Sequence, residues 1–168
     1  MSTHRSWVEI DASAILHNLK VIRANLPDTV DLAPVIKANA YGHGLDCISK
    51  ILPLNQSLLC VDSLDEAVHI RRQRVSNENI LIMGYIPLES LQYLDSNMIP
   101  VVYEIEHLRA LAKVRPDHNV HVKVETGLNR QGVALADLAE FVGIIKELGL
   151  NITGAYTHYA NVEDTLDT

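Results

Sequence analysis

The side chains that could do chemistry stand where apolar segments give way to polar loops. Lys37 ends the segment DLAPVIK and is followed by ANAYGHG, a loop rich in small residues and Gly. A lysine amine held there can form a covalent bond with an aldehyde. Arg130 lies in VKVETGLNRQG, and its fixed, always-charged fork of donors suits a carboxylate. His158 ends NITGAYTH and offers two ring nitrogens for hydrogen bonding.

Each of these residues also has an ordinary structural role. Lysines are mostly exposed, and Lys37 fits a surface position at the end of a strand. Arg130 could pair with an acid of its own loop, such as Glu125, and a lone His158 could be a hydrogen-bonded structural residue. Tyr41, one helical turn after Lys37, taken alone fits a packing role. Residue type and spacing therefore leave both interpretations open.

The elements that must position these residues form a repeating β/α pattern. Short apolar runs predict strands at 31–37, 57–62, 79–84, 99–104, 120–125 and 151–158. Amphipathic stretches predict helices at 13–25, 45–52, 64–74, 88–96, 105–114 and 135–148. Strands that alternate with helices demand parallel pairing and crossover connections. The sequence therefore predicts an α/β fold.

The segment VHVKVE favours a barrel over an open sheet. Its three valines share one face of the strand, and Lys123 lies among the polar residues of the other face. Polar side chains can point inward near the mouth of a barrel, where catalytic groups also gather, but are costly beneath a layer of helices. An unmodified Lys123 would need an acidic partner, and Glu125 is the nearest on its face. Because a complete barrel has eight units and about 250 residues, we expect an incomplete (β/α)8 TIM-type barrel of about six units, cut within the domain.

Composition argues against several classes of protein. A formal net charge of −7 without a basic run argues against a nucleic-acid partner. The apolar runs are far shorter than the roughly 20 residues that span a bilayer, and the N-terminus lacks a signal-peptide core, so we expect a cytoplasmic protein without a membrane partner. Cys47 and Cys60 lack CxxC spacing and are predicted to be buried thiols. No metal site is expected.

Three segments together resemble the alanine racemase family. VIKANAYGHG is similar to the family's cofactor-lysine motif, VKVETGLNRQG to the segment after its fifth barrel strand, and GAYTHYANVED to the segment that carries its cofactor-facing histidine. The three occur in the family's order and approximate spacing. Asn129 and Gln131 depart from the family's commoner glycine and small apolar residue, and neither change removes a reactive group.

The resemblance implies a role for each reactive residue. Lys37 would hold pyridoxal 5′-phosphate covalently and serve as one of two catalytic bases, and Tyr41 would contact the phosphate. Arg130 would lie beside the cofactor ring oxygen and the substrate carboxylate, and His158 would lie against the ring. Lys123 aligns with a lysine that is carbamylated in some members, where the added negative group helps to hold the arginine.

The resemblance also implies a reaction and an assembly. Alanine racemases interconvert L-alanine and D-alanine for peptidoglycan precursors, and their second base is a tyrosine from the C-terminal β-domain of the other subunit. Residues 1–11 would form a strand that packs on that domain, and residues 12–168 a partial cofactor-binding barrel. We therefore expect a homodimer or other self-association, and weak or no racemisation by the 168 residues alone.

Three other functions stay open at this point. Racemases that act on serine, lysine or another amino acid could share the ANAYGHG motif. Small single-domain proteins that bind pyridoxal phosphate without catalysis share the barrel, although their lysine lies in a different local motif. A binding module without cofactor would require three ordered matches to arise by coincidence. The sequence favours an alanine racemase.

Overall fold

The structure is a computed structural model, and it describes residues 6–54, 57–73 and 77–161. Helices α1 to α6 are Ala12–Ala24, Lys37–Tyr41, Leu45–Ile51, Leu64–Gln73, Ile105–Val114 and Leu138–Glu147. Strands β1 to β5 are Leu58–Val61, Asn79–Ile82, Met98–Val102, Asn119–Lys123 and Asn151–Tyr156, and they belong to one sheet in chain order. The chain divides into two compact units, Met1–Ile80 and Leu81–Thr168. Within the described ranges, no helix is long and apolar enough to cross a membrane.

In the first unit, an apolar core forms where α4 packs against β1. Leu59 and Val61 of β1 are fully buried, and Ala67 and Ile70 bury one face of α4. Residues three or four apart lie on the same side of a helix, so this spacing gives α4 a continuous apolar face. The helix predicted at 64–74 is confirmed through Gln73, and residue 74 lies outside the described residues.

Helix α1 begins at the capping residue Asp11. Its Oδ1 accepts the amide N–H of Ser13 at 2.8 Å and of Ala14 at 3.1 Å, which satisfies two donors that a helix start leaves unpaired. The Ser13 hydroxyl and these two amides lower the pKa of the Asp11 carboxyl. Residues 6–10 form no strand, and the packing of residues 1–11 on a further domain stays a prediction.

The two cysteines differ in exposure. Cys60 is buried in β1, and burial raises the pKa of its thiol to about 11. Cys47 is exposed, so the prediction of a second buried thiol is wrong. Leu45 and Ile48 bury one face of α3 at a spacing of three residues, and Cys47 projects away from that face.

The strand predicted at 31–37 is reduced to a single parallel bridge between Val35 and Cys60. The Ile36 amide donates to the Cys60 carbonyl at 2.8 Å, and the Cys60 amide donates to the Pro34 carbonyl at 2.9 Å. Pro34 has no N–H to extend the ladder on its other side. Lys37 therefore does not end a strand, but begins α2.

In the second unit, three strands pair in parallel and confirm the predicted crossover pattern. Val102 of β3 is in register with Val122 of β4, and Lys123 of β4 is in register with Tyr156 of β5. Helix α5 coincides with the prediction at 105–114. The remaining prediction at 135–148 is matched by a short 3-10 helix, Leu135–Asp137, followed by α6.

The helix predicted at 88–96 is instead a 3-10 helix, Leu88–Tyr93. Leu91 and Leu94 are both fully buried. Leu91 lies within the 3-10 helix, and Leu94 directly follows its last residue. Leu94 has extended backbone, which ends the element before Ser96.

Strand β5 approaches β4 closely at one glycine. Gly154 is in register with His121, and a Cβ added to Gly154 would lie 2.5 Å from the His121 Cε1 atom. The imidazole occupies the space that any other side chain at 154 would need. Burial lowers the pKa of His121, which favours its neutral ring in this position.

Candidate active site

Lys37 stands at the start of a left-handed turn of the backbone. The four residues after it, Ala38 to Tyr41, have φ angles between 52° and 55°. All four carry a side chain, and each costs roughly 1–2 kcal/mol relative to the right-handed conformation. Contacts with the rest of the first unit must therefore hold this turn, and strained backbone of this kind is concentrated at functional sites in proteins.

Asn39 is the centre of the contacts that hold the turn. Its amide N–H donates to Glu66 Oε1 at 2.9 Å, and its side-chain oxygen accepts the amide of Leu45, the first residue of α3, at 2.8 Å. Its carbonyl accepts the amides of Gly42 and Gly44 at 3.1 and 3.0 Å. Gly44 has φ +96°, which an L residue rarely adopts. The small residues and glycines of ANAYGHG thus allow the backbone to adopt the positive φ angles of this segment.

The Lys37 amine lies beside a carboxylate. Its Nζ is 3.3 Å from Asp62 Oδ1, with 28% of the lysine side chain and 54% of the aspartate side chain exposed. A pair this exposed adds little to stability, but it fixes where the amine points. Asp62 is not among the predicted site residues, although it directly follows the apolar run LLCV. A polar residue at the end of an apolar run is the signal that singled out Lys37, and it could also have indicated Asp62.

Tyr41 ends the left-handed turn, and 62% of the residue's surface is exposed. Its hydroxyl is therefore open to a ligand. The packing role that residue type alone favoured does not hold within the described part of the chain, because a packed tyrosine would be largely buried. Its predicted contact with a phosphate stays a prediction.

Arg130 lies in a loop that a carboxylate organises from within. Glu125 accepts the amide N–H of Gly127 at 2.5 Å and of Arg130 at 3.3 Å. These bonds lower the pKa of Glu125, with the amide of Asn129 contributing most. The loop closes where Val133 donates its amide to the Lys123 carbonyl at 2.8 Å.

The Arg130 side chain is exposed, and among the described residues its guanidinium has no ion-pair or hydrogen-bond partner. The alternative of an ion pair between Arg130 and Glu125 is therefore wrong. Glu125 binds the backbone of the loop rather than the guanidinium, because the carboxylate lies inside a ring of N–H groups. The cation is left available to an anionic ligand.

We call the set of backbone amides held by the Glu125 carboxylate the Glu125 clamp. The pKa of Glu125 predicts how the stability of this loop depends on pH. Because its folded pKa is below the ordinary value of 4.5, the clamp stabilises the loop above that pH and is lost as the pH falls through the lower folded pKa. We expect the Gly127 amide proton to titrate in NMR spectra with a midpoint below 4.5, and we expect Glu125→Gln to abolish this titration. Glu147→Gln, an exposed carboxylate of α6, should leave it unchanged. A midpoint at or above 4.5 would contradict the clamp.

Lys123 is buried, with 4% of its surface exposed. Its Nζ donates to Gln131 Oε1 at 3.4 Å and lies 5.5 Å from the centre of the Tyr156 ring. The Gln131 amide in turn donates to the Tyr103 hydroxyl at 3.0 Å. Burial, then the charge of the neighbouring carboxylate at position 104, raises the pKa of Tyr103. Because Glu125 is engaged with loop amides, it is not the partner that the sequence predicted for Lys123.

His158 lies two residues beyond the end of β5, with its side chain exposed. The residue before it, Thr157, donates its hydroxyl to the Val124 carbonyl at 2.8 Å and lies 2.6 Å from the Thr126 hydroxyl. These contacts tie the end of β5 to the loop that carries Arg130. The second unit thus brings the segments of Arg130 and His158 together.

The predicted site residues fall in both units. Lys37 and Tyr41 belong to the first unit, and Lys123, Arg130 and His158 belong to the second. The matched segment at 154–164 extends over residues 162–164, which lie outside the described residues.

The chain is similar to alanine racemases in sequence. The family model described as alanine racemase, N-terminal domain, matches residues 10–168. The alanine racemase of Streptococcus equi subsp. zooepidemicus is 35% identical over 170 residues, which covers 98% of this chain and 46% of that protein. The chain therefore spans less than half the length of this relative.

Solved structures agree with the sequence comparison. The alanine racemase of Clostridium difficile in complex with cycloserine has a TM-score of 0.86 at 27% identity, covering 96% of this chain and 46% of that one. A histidine racemase from Leuconostoc mesenteroides has a TM-score of 0.80 at 26% identity, covering 89% and 42%. With the parallel sheet, these neighbours confirm the predicted fold class, an incomplete (β/α)8 barrel. The chain belongs to the alanine racemase family and matches its N-terminal domain.

Proposed function

We propose that this chain is the pyridoxal-phosphate-binding part of a racemase that interconverts L-alanine and D-alanine. The observation that carries the proposal is the Lys37 amine, which is only 28% exposed, begins a left-handed turn and lies 3.3 Å from Asp62. A lysine amine is the side-chain group that forms a covalent bond with the aldehyde of a cofactor. The alanine racemases among its relatives support alanine as the substrate.

The residues present fit pyridoxal 5′-phosphate, which has an aldehyde, a phosphate, a phenolic oxygen and an aromatic ring. The chain offers the Lys37 amine, the exposed phenol of Tyr41, the exposed guanidinium of Arg130 and the exposed imidazole of His158. When bound, the cofactor supplies an electron sink for the charge that develops at the substrate Cα. We infer that Lys37 binds the aldehyde carbon, Tyr41 donates to the phosphate and His158 lies against the ring.

Two residues are proposed to act on the substrate. Lys37 removes or returns the proton at Cα on the side of the D-enantiomer, and Arg130 holds the carboxylate with its fork of donors. We also propose carbamylation of Lys123. Its burial and its contact with the side-chain amide of Gln131 support this proposal.

The second base belongs to the whole protein and is proposed to be a tyrosine from the C-terminal domain of a partner subunit. The proposal of a homodimer follows from that requirement. We further propose that the enzyme works in the cytoplasm and supplies D-alanine for peptidoglycan. The family membership of the chain supports these assignments.

A spectrophotometric titration with pyridoxal 5′-phosphate and amino acids tests the proposal. We expect a saturable change in absorbance as the cofactor binds, and a further change on adding L- or D-alanine at lower concentrations than L-serine, L-lysine or L-histidine. Histidine is included because a histidine racemase shares the fold. No saturable change would contradict cofactor binding. A response to serine, lysine or histidine at lower concentrations than to alanine would contradict the choice of substrate.

A further inference from the structure

We propose that Glu66 is a positioning residue for the Lys37 amine, an inference that rests on the proposed function. Glu66 lies in the first turn of α4, and both oxygens of its carboxylate accept backbone amides. Oε1 accepts the amide of Asn39 at 2.9 Å, and Oε2 accepts the amide of Asp62 at 2.9 Å. Hydrogen bonds to an ionised acceptor are about twice as strong as those between neutral groups.

The two amides that Glu66 binds lie on either side of the lysine amine. Asn39 is two residues beyond Lys37 within the left-handed turn, so the first bond holds the backbone that carries the amine. Asp62 lies 3.3 Å from Lys37 Nζ through its own carboxylate, so the second bond holds the backbone that carries the amine's neighbour. One carboxylate thus fixes the relative position of both partners.

Glu66 is itself held by the helix that carries it. Its amide donates to the Ser63 hydroxyl at 3.2 Å, just before α4 begins. One turn further on, Ala67 and Ile70 anchor α4 in the core of the first unit, with 0% and 1% of their surfaces exposed. The carboxylate is therefore fixed to a rigid element rather than to a loop, as a precise site requires.

An ordinary capping role does not account for these bonds. In a capping box, the acid at this position returns to the backbone N–H of the capping residue, here Ser63. The Glu66 carboxylate instead reaches the amides of Asp62 and of Asn39, and Asn39 is 27 residues away in sequence. The bond to the Asn39 amide links α4 to the strained turn, whose conformation the sequence around it would not adopt unaided.

We call the two bonds from the Glu66 carboxylate to the amides of Asn39 and Asp62 the Glu66 clamp. Hydrogen–deuterium exchange on the 168-residue chain without cofactor tests this Glu66 clamp. Glu66→Gln keeps the shape of the side chain but replaces one acceptor oxygen by a donor. We expect the amide of Asn39 or Asp62 to exchange about tenfold faster relative to the Ile70 amide, which reports on the integrity of α4. Asp65→Asn removes an exposed carboxylate from the same turn and should leave both rates unchanged. Equal rates in the two variants would overturn the clamp.

A second measurement tests whether the clamp positions the amine. Pyridoxal 5′-phosphate attached to Lys37 in a fixed orientation gives an induced circular dichroism band, and we expect Glu66→Gln to lose intensity per attached cofactor while Asp65→Asn keeps it. An unchanged intensity alongside faster exchange at Asn39 would overturn the positioning role. If the unaltered chain attaches no cofactor at Lys37, the proposed function fails, and so does the positioning role toward it. The exchange rates then still decide whether Glu66 holds the turn.

Discussion

Replacing Lys37 by Ala is expected to reduce cofactor binding from about one equivalent of pyridoxal 5′-phosphate per chain to background, because the covalent bond needs a primary amine. The contacts proposed for Tyr41 and Arg130 are noncovalent and would not replace this bond. Asp62 would lose its ion-pair partner, the Lys37 amine at 3.3 Å. The folded chain would lose little stability, since exposed ion pairs contribute little. Equilibrium dialysis and the absorbance of the dialysed protein measure the loss.

The matched control is Lys50→Ala. Lys50 is exposed in the last turn of α3 and belongs to the same unit as Lys37. We expect it to bind as much cofactor as the unaltered chain, with the same absorbance. Equal binding by the two variants would mean that Lys37 is an ordinary surface lysine, and it would remove the basis of the proposed function.

Replacing Gly132 by Ala is expected to lower the free energy of unfolding by about 3 kcal/mol. Gly132 has φ +137°, and an added Cβ would lie 2.6 Å from the Glu125 backbone nitrogen and 2.9 Å from the Val124 carbonyl carbon. Both colliding atoms are backbone, so the chain itself must move. Because Glu125 accepts the backbone amides of the Arg130 loop, we also expect the backbone at Arg130 to lose its hydrogen bond to Glu125.

Gly143→Ala gives the matched control for this destabilisation. Gly143 lies within α6, and an added Cβ would meet no atom within 4 Å. Alanine in a helix is more favourable than glycine by roughly 0.5–1 kcal/mol, so this variant should gain stability. Urea unfolding of both variants measures the difference. If Gly132→Ala unfolds at the same denaturant concentration as the unaltered chain, the close approach in the Arg130 loop is contradicted.

Hydrophobic periodicity predicted most of the regular elements. The α5 prediction at 105–114 has the bounds of the observed helix, and the five strands after Lys37 lie where the apolar runs indicated. Local patterns suffice to predict these elements, because the burial of one helix face or of a whole strand produces a regular spacing of apolar residues in the sequence. The left-handed turn after Lys37 could not be predicted in this way. It is held in part by the Glu66 carboxylate, which is distant in the sequence and leaves no periodic pattern around Lys37.

The candidate site was predictable where a motif carried it. Lys37 and Arg130 were selected by motif and by position, and the structure gives both a defined setting. The pairing of Lys37 with Asp62, 25 residues away, was not predictable from local sequence. The same holds for the contact between Gln131 and Tyr103, which are 28 residues apart. Such pairs form only when folding brings residues that are far apart in the sequence into contact.

The most direct test of the central proposal is to find the amine that bears the cofactor. The protein is incubated with pyridoxal 5′-phosphate, reduced with borohydride and digested, and the peptides are identified by mass spectrometry. We predict one predominant phosphopyridoxyl group, attached to Lys37. A modification spread over exposed lysines such as Lys20 and Lys50, or concentrated on Lys123, would contradict the assignment of Lys37 as the cofactor lysine.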